Sequence, residues 1–279
     1  MKKVVIFVIM LTSFTMCWTG CSDKKHNTGD STAVDSTDRT AAVDTMEQLI
    51  SEAPMPKAAD ELFDDFIFNF AANRKLQYKR IKFPLHVYNG TRIDSLQKSQ
   101  WKMDHFFMRQ GYYTLIFDNL KQMNVVKDTS INHVVIEKIS LRKNHVKQYI
   151  FNRINGQWMM TSINNQAVYQ STNASFLKFY QRFAVDSAFQ SVSLINPVHF
   201  VGPDPDDDFS TMEGIITPDT WPAFAPKLPS GLIYNVIYGQ QYRTSMQKIF
   251  VMRGIANGME VELTFKKIGK HWKLAKLSN

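Results

Sequence analysis

Residues 63–71 read FDDFIFNFA, and residues 176–184 read FLKFYQRFA. In both stretches phenylalanine occupies positions i, i+3 and i+7, so the aromatic rings share one face of an α-helix. An offset of 113 residues superimposes the two stretches. The same amphipathic helix is therefore predicted twice in the chain.

The similarity between the two helices extends along the rest of the chain. Aromatic, glycine and proline residues recur in the same order, with an insertion of about seven residues in the second half. We predict two repeats of normal domain size, residues 59–165 and residues 166–279. The matched pairs are Gln77 with Gln190, Pro84 with Pro197, His86 with His199, Trp101 with Trp221, Gly111 with Gly231 and Trp158 with Trp272.

Runs rich in β-branched and aromatic residues close each repeat and predict antiparallel strands. The turns Asn155-Gly156 and Asn257-Gly258 are typical of hairpins, so we expect the strands to form a meander. Pro84 and Pro197 are expected at a helix end or in an edge segment. The predicted strands are Tyr112–Phe117, Val134–Leu141, Val146–Ile154 and Trp158–Ile163, then Leu232–Tyr238, Lys248–Ile255, Glu260–Ile268 and Trp272–Leu277.

A helix followed by antiparallel strands defines the α+β class. The element order of residues 59–279 resembles the nuclear-transport-factor-2-like or cystatin-like roll, in which a curved antiparallel sheet wraps a helix. The tandem arrangement also resembles a family of lipoproteins from gut anaerobes that carry a domain of unknown function. The resemblance implies two repeats of a helix packed on a curved sheet, with room for a cavity. It implies no reaction, because one fold hosts many functions.

The N-terminal residues are typical of an export signal. Lys2 and Lys3 precede an apolar run of about 15 residues, which is shorter than the roughly 20 that span a bilayer. Thr19 and Gly20 then precede Cys21, which resembles the lipobox of bacterial lipoproteins. We predict lipid attachment at Cys21. The alternative is an ordinary cleaved signal and a soluble periplasmic protein.

Residues 1–20 are accordingly predicted to be a signal peptide. Residues 21–58 are predicted to be a flexible tether, because their mainly polar composition buries too little apolar area to order the segment. The chain is expected at the outer membrane, facing the periplasm or the cell surface. Its only cysteines are Cys17 and Cys21, so the mature fold has no pair to form a disulfide.

The chain is basic, with a formal net charge of +8. Residues 21–58 hold seven acidic and four basic residues, so the positive charge lies in residues 59–279. Basic domains can bind nucleic acid, but export argues against that partner. The expected partners are the membrane, through the N-terminal lipid, and a small ligand, a glycan or an envelope protein. A solvated surface rich in lysine is the alternative.

No Gly-rich phosphate loop, His-Glu-x-x-His motif or Gly-x-Ser-x-Gly motif is present. No catalytic residue and no cofactor is therefore predicted. His86 and His199 occupy equivalent positions in the two repeats and are candidates for ligand binding or for general-base catalysis. A structural hydrogen bond inherited from the duplication is the alternative.

The inserted segment contains Asp204, Asp206 and Asp208, which are candidate calcium ligands because calcium binds clustered oxygen atoms. Phe209 stands where the calcium-loop pattern needs glycine, so a solvated acidic turn is the alternative. The recurring tryptophans are expected in the core rather than on a sugar-binding surface.

The duplication, the missing motifs and the lipid signal favour a non-catalytic module that binds a ligand or partner. The alternatives are an enzyme with an acid or base in a cavity, and a structural component of the envelope. A carboxylate or histidine deep in a cavity, with a raised pKa, would favour the enzyme.

Overall fold

The computed structural model describes residue 60, residues 62–240 and residues 245–279. The predicted signal peptide, Cys21 and the predicted tether lie outside the described residues. Across the described part of the chain, no helix is both long enough and apolar enough to cross a membrane.

The described part of the first repeat consists of two α-helices followed by six strands. A 3-10 helix, Leu120–Lys127, lies in the connection between its third and fourth strands. The helices are α1 (Phe63–Ala72) and α2 (Arg74–Arg80), and the strands are β1 (Ile81–Asn89), β2 (Arg92–Leu96), β3 (Tyr112–Phe117), β4 (His133–Ser140), β5 (His145–Ile154) and β6 (Gln157–Ala167).

The described part of the second repeat has two leading α-helices and six strands in the same order, with one additional short α-helix before its third strand. Its helices are α3 (Ala174–Phe183), α4 (Ser187–Val192) and α5 (Trp221–Phe224), and its strands are β7 (Leu194–Asp204), β8 (Asp207–Ile216), β9 (Leu232–Ile237), β10 (Gln247–Gly254), β11 (Glu260–Ile268) and β12 (His271–Ser278).

The aromatic faces of α1 and α3 are buried, as their periodicity predicts. Phe66 and Phe70 have no exposed surface, and neither do Phe176 and Phe183. Each set of rings packs against aromatic residues of the sheet. Each helix has only ten residues and is too short to be stable in isolation. Burial of the aromatic face therefore stabilises the helical conformation.

All twelve strands form one curved, open sheet in the order β2-β1-β6-β5-β4-β9-β3-β10-β11-β12-β7-β8. Strand β3 of the first repeat pairs antiparallel with β10 of the second repeat. Strand β9 of the second repeat pairs antiparallel with β4 of the first. The two repeats have thus exchanged their third strands, and the predicted meander is wrong at this position.

The lengths of the connections explain this difference. Residues 118–132 separate β3 from β4, and a connection of this length does not force its two strands to be neighbours. Strands β5 and β6 are instead joined by Asn155 and Gly156, whose φ angles are 51° and 76°. These positive angles form a tight hairpin turn, so β5 and β6 pair as predicted.

Strands β3 and β9 are parallel neighbours at the centre of the sheet, where Thr114 pairs with Asn235. Successive side chains of a strand point to opposite faces of the sheet. Tyr113 and Leu115 belong to the core that contains α1, whereas Ile116 belongs to the core that contains α3. The two cores therefore lie on opposite faces of the sheet, and each contains residues of both repeats.

The segments that contain Pro84 and Pro197 are strands β1 and β7. Each pairs in parallel with the last strand of its own repeat, and each proline follows a cis peptide bond. The insertion in the second repeat lengthens the outer hairpin, because β8 has ten residues and β2 has five.

Candidate ligand-binding groove

An open groove lies between α3, α4 and the turn that joins β11 to β12. Its volume is about 720 Å³, within the range of small-molecule sites, which is roughly 300–1,000 Å³. Basic and aromatic side chains make up much of its lining. The groove therefore has the size and the composition of a binding site.

Four positively charged side chains line the groove. Lys178 and Arg182 are one turn apart on α3, and Lys270 and Lys273 lie at or beside the β11–β12 turn. None of the described residues that line the groove is acidic. Arg182 Nε also lies 3.0 Å from the carboxylate of Asp186 and forms an ion pair with it, although Asp186 does not line the groove. The groove is consequently suited to an anionic ligand.

The floor of the groove is aromatic. Phe179 and Phe189 line it, with ring centroids 5.7 Å apart. Trp272 is buried, and its indole N–H donates a hydrogen bond of 3.3 Å to Ser175 Oγ. A ligand with a charged group and an apolar part could therefore place the charge at the rim and the apolar part on this floor.

A buried ion pair anchors the start of α3 to the sheet. Lys248 on β10 donates to the Asp118 carboxylate, at the end of β3, and to Asn173 Oδ1 at 2.6 Å. Asn173 precedes α3, but its side chain makes no capping hydrogen bond. Because Asp118 belongs to the first repeat, this cluster ties the groove helix to both repeats.

A second polar cluster joins α1 to the second repeat. The Asp64 carboxylate accepts hydrogen bonds from Tyr238, which follows β9, and from Tyr113 on β3, the latter at 3.3 Å. Burial raises the pKa of Asp64, although the Tyr238 hydrogen bond and the Arg253 charge oppose the shift. Burial and the Asp64 charge raise the pKa of Tyr113 to about 12. A carboxyl group with a raised pKa is a candidate acid or base.

A third ionisable group lies inside the sheet beside the exchanged strands. Glu137 on β4 is buried and accepts hydrogen bonds of 3.0 Å from both Gln148 Nε2 and Asn235 Nδ2. Burial raises the pKa of Glu137, and the two amide hydrogen bonds oppose the shift. Since Asn235 lies in β9, this hydrogen bond joins the first repeat to the exchanged strand of the second.

The structure does not bring the two candidate histidines together. His86 and His199 are both exposed, on strands β1 and β7 near opposite ends of the sheet. His199 Nε2 lies 3.3 Å from the Glu213 carboxylate. Neither histidine lines the groove, and their role in binding or catalysis stays a prediction.

The candidate calcium ligands lie at the tip of the β7–β8 hairpin. Asp204 Oδ1 accepts a hydrogen bond of 2.9 Å from the Asp206 backbone N–H, and the Asp208 side chain is outside the described set. Among the described side chains, no group of three His, Cys, Asp or Glu residues is arranged to hold a metal ion. The calcium site stays a prediction.

The recurring tryptophans are core residues, as the sequence predicts. Two of them make the same buried contact in both repeats. Trp101 Nε1 donates to Gln77 Oε1 at 3.1 Å, and Trp221 Nε1 donates to Gln190 Oε1 at 3.0 Å. The match between the repeats therefore reflects a shared hydrogen bond as well as shared apolar packing.

The basic residues of the groove were missed in the sequence because lysine on a helix surface is ordinary. A comparison of equivalent positions in the two repeats would have revealed them. Lys178 stands where the first repeat has Asp65, and Lys270 stands where it has Gly156. The second repeat is therefore more positively charged than the first at these two positions, both of which line the groove.

Helices packed on a curved, open and largely antiparallel sheet define an α+β protein of the nuclear-transport-factor-2-like (NTF2-like) type. The crystal structure of an NTF2-like protein from Bacteroides fragilis NCTC 9343 is similar, with a TM-score of 0.75. The two sequences are 43% identical, and the match covers 81% of this chain and 98% of the other. The predicted fold class is confirmed.

The chain belongs to the family described as domain of unknown function DUF4348, whose model matches residues 42–279. This match includes both repeats. A comparison with curated proteins finds no match.

Proposed function

We propose that this protein is a non-catalytic binding module of the bacterial cell envelope and that its groove binds an anionic ligand. The main support for this proposal is the groove, because it combines four cations, an aromatic floor and a suitable volume. The NTF2-like fold and a family of unknown function are compatible with binding.

The proposed location is the outer membrane of a gut anaerobe, with the chain facing the periplasm or the cell surface and anchored through Cys21. The support is the apolar run followed by Thr19, Gly20 and Cys21. Nucleic acid is not an expected partner of an exported protein. Mass spectrometry of the membrane fraction tests the anchor, because a diacylglyceryl group on Cys21 is expected and an unmodified N-terminus contradicts it.

Thermal-shift titration of the full chain, purified in detergent, tests binding. The probes are bile acids and acidic glycans, with their uncharged analogues as controls. A ligand at 100 times its dissociation constant stabilises the fold by about 2.7 kcal/mol, which raises the melting temperature by about 5–10 °C for a chain of this size. The proposal fails if charged and uncharged probes give the same shift.

Paired variants locate the site. The double substitution Lys178→Gln and Lys270→Gln removes two charges from the groove and should abolish the shift. The double substitution Lys82→Gln and Lys143→Gln removes the same charge from exposed positions elsewhere and should retain it. An equal loss of the ligand-induced thermal shift in both double variants would indicate a general effect of charge rather than a binding site.

An acid–base enzyme is the second candidate, and the Asp64 cluster favours it. Asp64 combines a raised pKa with hydrogen bonds from two tyrosines. Incubation of the full chain in D₂O with carbonyl compounds tests for exchange of α-protons by NMR. Exchange that is lost in Asp64→Asn supports this candidate, and no exchange in the unsubstituted protein contradicts it.

A further inference from the structure

In the first repeat, a carboxylate of the chain itself fills the site that is equivalent to the groove. Asp60, which precedes α1, forms a two-pronged ion pair with Arg80, with N–O distances of 2.9 and 2.7 Å. The same carboxylate accepts a hydrogen bond of 3.1 Å from the Trp158 backbone N–H. Arg153 donates to the backbone carbonyl of Asp60 at 2.9 Å. An acidic residue of the chain itself thus occupies this position.

The residues that hold Asp60 have equivalents at the groove of the second repeat. Ser193 is equivalent to Arg80 and Trp272 to Trp158, and both line the groove. Lys267 is equivalent to Arg153.

The cation–aromatic contact of the first repeat also recurs in the second. The Arg153 guanidinium lies 4.9 Å from the Trp158 ring, and Lys267 Nζ lies 5.8 Å from the Trp272 ring. The groove is therefore the counterpart of the site that Asp60 fills.

Two differences leave the second site open. The residue equivalent to Asp60 is Asn173, whose side chain is held by Lys248 instead of reaching toward Ser193. Ser193 is also much smaller than the arginine at the equivalent position, so space remains between the helices and the β11–β12 turn. Lys178 and Lys270 supply at the rim the positive charge that Arg80 supplies inside the first repeat.

We propose that the groove binds an acidic side chain carried on an extended peptide segment of a partner protein, in the way that the first repeat holds Asp60. This inference rests on the proposed function and specifies its ligand. The bound carboxylate would lie among the groove cations, while the backbone of the segment would pass over Trp272 and toward Lys267. An acidic peptide matches the positive charge of the groove.

A peptide with the sequence of residues 56–63, PKAADELF, is the probe. Binding to the full chain is measured by fluorescence anisotropy at low and high salt. We expect saturable binding that weakens at least tenfold when the Asp and Glu of the peptide become Asn and Gln. Binding should also weaken at least tenfold in the Lys178→Gln and Lys270→Gln double variant, and should not change in the Lys82→Gln and Lys143→Gln control.

The outcomes separate this inference from the proposed function. Equal binding of the acidic and the amide peptides would overturn the inference. If bile acids or acidic glycans bind the groove and the peptide does not, the inference fails and the proposed function stands. If neither class of probe binds, both fail. Circular dichroism of the variants shows whether each loss reflects the site or the fold.

Discussion

Tyr238 of the second repeat donates a hydrogen bond to the Asp64 carboxylate on the first helix of the first repeat. The two residues are brought together because β9 lies among the strands of the first repeat. The hydrogen bond therefore exists only when the exchanged strand is in place, and it reports on the junction between the repeats.

Substitution Tyr238→Phe should raise the pKa of Asp64 further, because the lost hydroxyl stabilises the ionised carboxylate. We expect a loss of about 1–3 kcal/mol in the free energy of unfolding at neutral pH. Carboxyl ¹³C NMR titration and urea denaturation measure the two effects. Tyr113→Phe is the control, and its effect should be smaller because its hydrogen bond to Asp64 is 3.3 Å long. An unchanged Asp64 titration in Tyr238→Phe would contradict the prediction.

The two buried glutamines should differ in their contribution to stability. Gln77 donates to two backbone carbonyls and accepts from Trp101 and from a backbone N–H, whereas the bonds described for Gln190 are one to a carbonyl and one from Trp221. Gln77→Leu should lower the free energy of unfolding by about 2–4 kcal/mol and Gln190→Leu by about half as much. Urea denaturation compares them, and a larger loss in Gln190→Leu would refute this ranking.

Glu137 should make the fold less stable as the pH rises. Its pKa is raised in the folded state, so the unfolded chain releases this proton at a lower pH than the folded chain does. The stabilisation that the protonated group provides is complete below its unfolded pKa of 4.5, and it declines as the pH rises to the folded pKa. Glu137→Gln should remove this decline, because an amide does not ionise.

Urea denaturation from pH 4 to pH 8 tests the role of Glu137. The curve of the unsubstituted protein should fall relative to that of Glu137→Gln as the pH rises from 4.5. Asp206→Asn, at an exposed hairpin tip, is the control and should leave the decline in place. Parallel curves for the unsubstituted protein and Glu137→Gln would contradict the assignment.

The two repeats should unfold as one unit, because each core contains residues from both. Phe66→Ala, in the core of the first repeat, should cost about 3–5 kcal/mol. Hydrogen exchange should then accelerate by the same factor in the slowest amides of α1 and of α3. Phe209→Ala is the control, since Phe209 is 100% exposed. Acceleration confined to α1 would show that the repeats unfold separately.

Helices α1 and α3 and most strands were predictable from the sequence because their signals are local. Phe63, Phe66 and Phe70 define one helical face whatever surrounds them, and Asn155-Gly156 defines a hairpin by its backbone angles. The short helices α2, α4 and α5 and the strands β1, β2, β7 and β8 were missed. Proline interrupts β1 and β7, and the outer strands β2 and β8 have a weak alternation of buried and exposed residues.

The strand exchange could not be predicted from local patterns. The alternation of side chains in β3 is the same whether its neighbour is β4 or β10, so it does not specify the partner. The groove was likewise hidden, because Lys178 and Lys270 are far apart in sequence and ordinary on a surface. What identifies them is their difference from Asp65 and Gly156 at equivalent positions.

The exchange of β3 and β9 has a consequence for how this protein can change over generations. A break in the chain between residues 165 and 166 would not yield two self-sufficient halves, because each sheet half contains a strand encoded in the other. Deletion, recombination or transplantation of one repeat would leave a gap in the middle of the remaining sheet. The two repeats must therefore be inherited together. While both are kept, they can specialise, and here Asp60 fills the site of the first repeat whereas the groove of the second repeat is open.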